Sequence, residues 1–89
     1  MRIAICDDNE IQIGIFIHRI NNFLKRNGDV KALITPYDKG QPLIDDVADG
    51  EWYDIVVLDI VLKEENGIEV AKELRSNGYD GNIIFWTAH

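Results

Sequence analysis

Eighty-nine residues leave room for one domain around one hydrophobic core, and a hydrophobic share of 46% excludes a disordered chain. A formal net charge of −7 argues against a nucleic-acid surface and fits a binder of cations or basic partners. The single Cys6 cannot form an internal disulfide, no apolar segment reaches membrane-spanning length, and no signal-peptide core precedes "MRIAICDD", so a cytoplasmic location is expected.

Ile3, Ala4, Ile5 and Cys6 form an apolar run suited to a strand buried on both faces. Two adjacent carboxylates, Asp7 and Asp8, end it. Like charges side by side repel, and each is costly to desolvate. Either the pair opens a solvated helix or something positive belongs there. Asp8 or Asn9 can cap the helix that follows, "EIQIGIFIHRINNFLKRNG". Its Ile13, Phe16, Ile17, Ile20, Phe23 and Leu24 fall on one face. Lys25 and Arg26 suit its last turn, and Gly28 its end. Ile11 and Ile15 lie on the opposite side, near the helix start.

"VKALITPYD" reads as a second, weaker strand, and "GQPLIDDVADG" as a short helix with Pro42 in its first turn. Ile55 to Leu58 is the most apolar strand, and it also ends in a carboxylate, Asp59. "KEENG" is a loop, with Glu64 and Glu65 expected in solvent and Asn66-Gly67 serving backbone geometry. "IEVAKELRSNG" is a helix with Ile68, Ala71 and Leu74 on one stripe, Val70 beside it, and Gly78 as its stop. "NIIFWTAH" is a fourth strand. Strands alternating with helices predict an α/β fold with a mainly parallel sheet covered on both faces.

In such a sheet, function collects at the carboxyl ends of the strands. Asp7 and Asp8, Asp59, and Thr87 fall at the ends of the first, third and fourth strands. In a doubly wound sheet the first and third strands are neighbours, so three carboxylates and a hydroxyl converge. A formal charge of about −3 in one cleft calls for a counter-ion. Oxygen donors of this kind favour Mg²⁺ with phosphate oxygens as co-ligands.

"ICDDNE", "VVLDIVLKEENG" and "IIFWTA" together resemble the receiver domain of bacterial two-component response regulators. The likeness runs from the first strand to the fourth and includes Gly67 eight residues beyond Asp59. "AICDDNE" and "LDI" look most like receivers that precede a LytTR-type DNA-binding domain. The resemblance implies a flavodoxin-like sheet in the order 2-1-3-4 with three helices. It implies Asp59 as phosphoryl acceptor, and Asp8, Asp7, Asp59 and the Val61 backbone carbonyl as the Mg²⁺ site. Thr87 is implied as the switch hydroxyl, with Ala88 as its small neighbour. The face carrying Ile11 and Ile15 is implied as the dock for a histidine kinase or phosphotransfer protein, and transcription control as the output.

Lys63 stands where the family usually has Pro. The family also continues with a fifth strand carrying a Lys, so residues 1–89 read as a receiver domain incomplete at its C-terminus. The apolar "IIFW" would then form an unprotected sheet edge, and self-association is expected. Two other readings compete: an interaction module without phosphotransfer, and a Mg²⁺-dependent phosphatase. Val61 argues against the phosphatase, because a second acid is generally needed at that position. On the receiver reading the domain is a switch and not an enzyme.

Overall fold

The computed structural model describes residues 1–28 and 31–86. Along them run β1 (Arg2–Cys6), α1 (Glu10–Arg26), β2 (Leu33–Tyr37), α2 (Gly40–Ala48), β3 (Ile55–Asp59), α3 (Gly67–Ser76) and β4 (Asn82–Trp86). The strands form one parallel sheet in the order β2-β1-β3-β4. Cys6 lies in register with Leu58, so β1 and β3 finish side by side. Pro36 sits in β2, an edge strand of this sheet, where a missing N–H is tolerated.

The period of two along the central strands divides the core between the two faces. Ile3, Ile5 and Val57 cluster with Ile13, Phe16, Ile17 and Ile20 of α1. Ala4, Cys6, Val56 and Leu58 cluster with Leu43, Ile44 and Val47 of α2 and Val70, Ala71 and Leu74 of α3. The sheet is therefore covered on both faces, as the unbroken apolar runs require. Burial pushes the Cys6 thiol up to about 12, with nearby carboxylates adding to the shift, so it stays protonated at neutral pH.

Two residues assigned to core stripes lie elsewhere. Phe23 is 60% exposed. A helix of 17 residues is about 25 Å long, whereas a five-residue strand spans about 17 Å, so the last turns of α1 overhang the sheet. Ile68 is 43% exposed, and the buried stripe of α3 is Gly67, Val70, Ala71 and Leu74. Spacing by three alone drifts around the helix, whereas the i, i+3, i+4, i+7 set holds one face.

Tyrosines tie α2 and α3 to the sheet. The Tyr79 hydroxyl donates to the Tyr53 carbonyl at 2.8 Å. The Tyr37 hydroxyl donates to Asp46 Oδ2 at 2.6 Å, which leaves its oxygen to accept from the Tyr53 hydroxyl at 2.6 Å. Burial, and then these two hydrogen bonds, raise the Tyr37 pKa above the ordinary phenol range.

On β4, Ile83 packs on the α2–α3 core, and Trp86 meets Phe16 edge-on at 5.7 Å between ring centroids. Ile84 and Phe85 of the same strand are exposed. No helix among the described residues is long and apolar enough to cross a membrane.

Candidate functional site

After β1 the chain turns toward β2, and after β3 it turns toward β4. The rim between them is the topological switch point, where a crevice opens. Asp7 and Asp59 stand there, only 2% and 3% exposed, with Asp8 half-buried beside them. The Asp7 N–H donates to the Tyr37 carbonyl at 3.0 Å. Its Oδ1 accepts from the Asn9 N–H at 2.9 Å. Capping of α1 falls to Asn9, whose Oδ1 accepts from the Ile11 and Gln12 N–H groups at 3.0 and 3.2 Å. The cap therefore does not account for Asp8. Asp8 Oδ2 instead accepts the backbone N–H of Lys63 at 2.8 Å, across 55 positions of sequence.

Asp59 closes β3, and its Oδ1 accepts the Val61 N–H at 3.1 Å. One carboxylate oxygen from each of Asp7, Asp8 and Asp59 lies within 4.8 Å of the other two. Three negative charges so close, two of them largely dry, favour a cation with oxygen-ligand chemistry. The donor set thus fits a hard divalent cation.

The loop between β3 and α3 is folded back by short contacts. Val61 and Asn66 form an isolated antiparallel bridge. The Gly67 N–H donates to the Ile60 carbonyl at 2.8 Å, and Asn66 Oδ1 accepts from the Ile68 N–H at 2.8 Å to cap α3. A Cβ on Gly67 would collide with the Asp59 carbonyl oxygen, so the glycine serves close backbone approach.

Glu65 is not the solvated side chain expected from the sequence. It is half-buried, and its Oε1 accepts the Gly40 N–H at 2.8 Å. Lys39, at the start of α2, contributes no side-chain cap, so a carboxylate from another loop satisfies that helix end. No local sequence signal could reveal this, because the acceptor lies 25 positions from the donor.

A cleft of about 680 Å³ runs beside the acids and is lined by Asp8, Ile11, Val61 and Lys63, among others. Ile11 is 74% and Ile15 39% exposed, on the α1 side expected. Val61 is exposed, with its N–H turned to Asp59. Thr87 and Ala88 lie outside the described residues.

The model of the response regulator receiver domain matches residues 3–89. The chain belongs to that family. Over 41 residues, 46% of this chain, it is 42% identical to the transcriptional regulatory protein CiaR of Streptococcus pneumoniae, and the match spans 18% of CiaR. The response regulator TrrA of Thermotoga maritima, solved in complex with Mg(2+)-BeF, aligns with 99% of this chain at 32% identity and a TM-score of 0.70; the alignment covers 70% of TrrA. The N-terminal domain of a response regulator/sensory box/GGDEF protein from Carboxydothermus hydrogenoformans aligns with all of this chain and 66% of its own, with a TM-score of 0.77. At 24% identity that last likeness concerns the fold alone. The four-stranded 2-1-3-4 sheet is the receiver's flavodoxin-like arrangement. Receiver domains are switch domains of two-component systems. They bind Mg²⁺ at an acidic pocket and interact with histidine kinases or phosphotransfer proteins.

Proposed function

We propose that Asp59 is the phosphoryl acceptor of this receiver and that Asp7, Asp8 and Asp59, with the Val61 backbone carbonyl, hold Mg²⁺. The observation that carries this reading is the convergence of three carboxylate oxygens within 4.8 Å at the rim between β1 and β3. A carboxylate oxygen of Asp59 attacks the phosphorus of a phosphohistidine. The P–N bond breaks, its electron pair returns to the imidazole, and an acyl phosphate forms on Asp59. When bound, the cation offsets the carboxylate charge and polarises the phosphoryl oxygens. The Val61 N–H holds Oδ1 of the nucleophile in a fixed direction. Thr87 is the switch hydroxyl that reads the phosphoryl group. TrrA, solved with Mg(2+)-BeF, supports the same chemistry here. The likeness to CiaR, a transcriptional regulatory protein, supports transcription control as the output, and membership of the receiver family supports the cytoplasm as the setting.

The test is intact mass after incubation with acetyl phosphate. A gain of roughly 80 Da, one phosphoryl group, is expected with Mg²⁺ and not without it. Asp59→Asn should show none. A folded wild-type chain that gains no mass would favour a receiver-like interaction module instead.

The kinase or phosphotransfer partner docks on the α1 side that carries Ile11 and Ile15. The exposure of both and the place of Ile11 in the cleft lining support this. Replacing both by Lys should slow phosphotransfer from the kinase about tenfold or more, on the scale of losing a buried apolar contact pair. Uptake from acetyl phosphate should not change. Equal slowing from both donors would show that the pair serves the fold.

A further inference from the structure

The β3–α3 loop, residues 60–66, sends two backbone donors into the acidic site. The Val61 N–H reaches Asp59 Oδ1, and the Lys63 N–H reaches Asp8 Oδ2. Hydrogen bonds from N–H to carboxylate are strong but directional, so they orient a carboxylate only if the donor is itself held. Gly67 pins the far end of the loop through the Ile60 carbonyl. Lys63 lies in the middle, between Leu62, which is buried in the α2–α3 core, and Glu65, whose carboxylate makes the loop's polar tie to a neighbouring element.

Its seat is closely fitted. Glu65 Oε1 accepts the Gly40 N–H at 2.8 Å. A Cβ on Gly40 would come within 2.7 Å of Glu65 Oε2 and 2.5 Å of Val70 Cγ2, so a side chain there would have to displace the Glu65 carboxylate and the Val70 side chain. The start of α2 carries partial positive charge and has no side-chain cap from Lys39, which gives the anion a further reason to stay. We infer that Glu65 is a positioning residue: docked on α2, it holds the loop so that the Lys63 and Val61 N–H groups orient the Asp8 and Asp59 carboxylates. Its consequence for Mg²⁺ rests on the receiver reading above, whereas its consequence for the loop does not.

The experiment uses the 89-residue chain and three variants. Glu65→Gln keeps an acceptor at the same reach. Glu65→Ala removes it. Glu65→Asp keeps the charge but is one methylene too short. Amide hydrogen exchange is read by ¹⁵N NMR without metal, and Mg²⁺ affinity by tryptophan fluorescence. Exchange of the Lys63 amide should be about tenfold faster in Glu65→Ala and Glu65→Asp, and close to wild type in Glu65→Gln. The Mg²⁺ Kd should rise about threefold or more in the same two variants, on the scale of one loosened charge-assisted contact. Phosphoryl uptake at saturating Mg²⁺ should slow by about threefold or more in the same two variants, because the Val61 N–H then holds Asp59 Oδ1 less firmly.

If only the Gly40 amide responds, while the Lys63 amide and the Mg²⁺ Kd do not, Glu65 is a helix cap and the inference falls. If Glu65→Ala does not fold, Glu65→Asp carries the same comparison. If wild type takes up neither Mg²⁺ nor phosphoryl, the acceptor reading fails, and Lys63 exchange still decides the positioning role.

Discussion

Gly67→Ala is expected to cost about 3 kcal/mol of stability, the upper range for overpacking at a site with no room to relax. For a domain of this size that is a fall in Tm of roughly 12–24 °C. The added Cβ collides with the Asp59 carbonyl oxygen and comes within 2.9 Å of the Asp59 carbonyl carbon and of Ile60 Cα. All three are backbone atoms, so no rotamer change relieves the contact. The peptide that would have to move is the one following the proposed acceptor, and the Gly67–Ile60 hydrogen bond crosses the same point. The variant should therefore lose phosphoryl uptake even where it remains folded. Gly14→Ala is the matched control. It lies within α1 with nothing within 4 Å of its Cβ position, so a gain of about 0.5–1 kcal/mol is expected from helix propensity. Urea denaturation of the two variants decides the matter. A Gly67→Ala loss under about 1 kcal/mol would mean that the loop gives way and the close approach is not essential.

What the sequence made legible depended on how local the cause was. The runs Ile3–Cys6 and Ile55–Leu58 announce strands buried on both faces, and the structure divides them between two cores. Once those strands are neighbours, their terminal acids must meet, so Asp7, Asp8 and Asp59 could be found from topology alone. Asn9 rather than Asp8 as the cap was open in the sequence, because both residue types suit the position. Phe23 departs from its expected face because periodicity does not show where the sheet beneath a helix ends. Ile68 departs because a spacing of three, repeated, drifts off the buried face of the helix. Glu65 was out of reach altogether. Its partner is a backbone N–H in another helix, and backbone donors leave no trace in side-chain patterns. The Lys63–Asp8 bond was hidden for the same reason.

Asp8→Asn is expected to reverse its effect on stability with Mg²⁺. Without metal, the variant removes one of three like charges whose oxygens converge within 4.8 Å. It also keeps an oxygen that can accept the Lys63 N–H, so the loop contact survives. A gain of about 1 kcal/mol over wild type is a fair scale for relieving such repulsion at a half-exposed position, and it should shrink as salt is added. With Mg²⁺ at about ten times its Kd, wild type gains about 1.4 kcal/mol by mass action, because only the folded chain assembles the site. Asp8→Asn has lost a charged ligand and should gain little. The order of melting temperatures should therefore invert between EDTA and Mg²⁺. Simple helix capping by Asp8 predicts a different pattern: Asn is as good a cap as Asp, and metal would not distinguish them. Equal Mg²⁺ shifts in the two proteins would remove Asp8 from the cation site. An inversion would mean that the adjacent acids at the end of β1 sacrifice stability in the metal-free chain to hold a charge that arrives from solution.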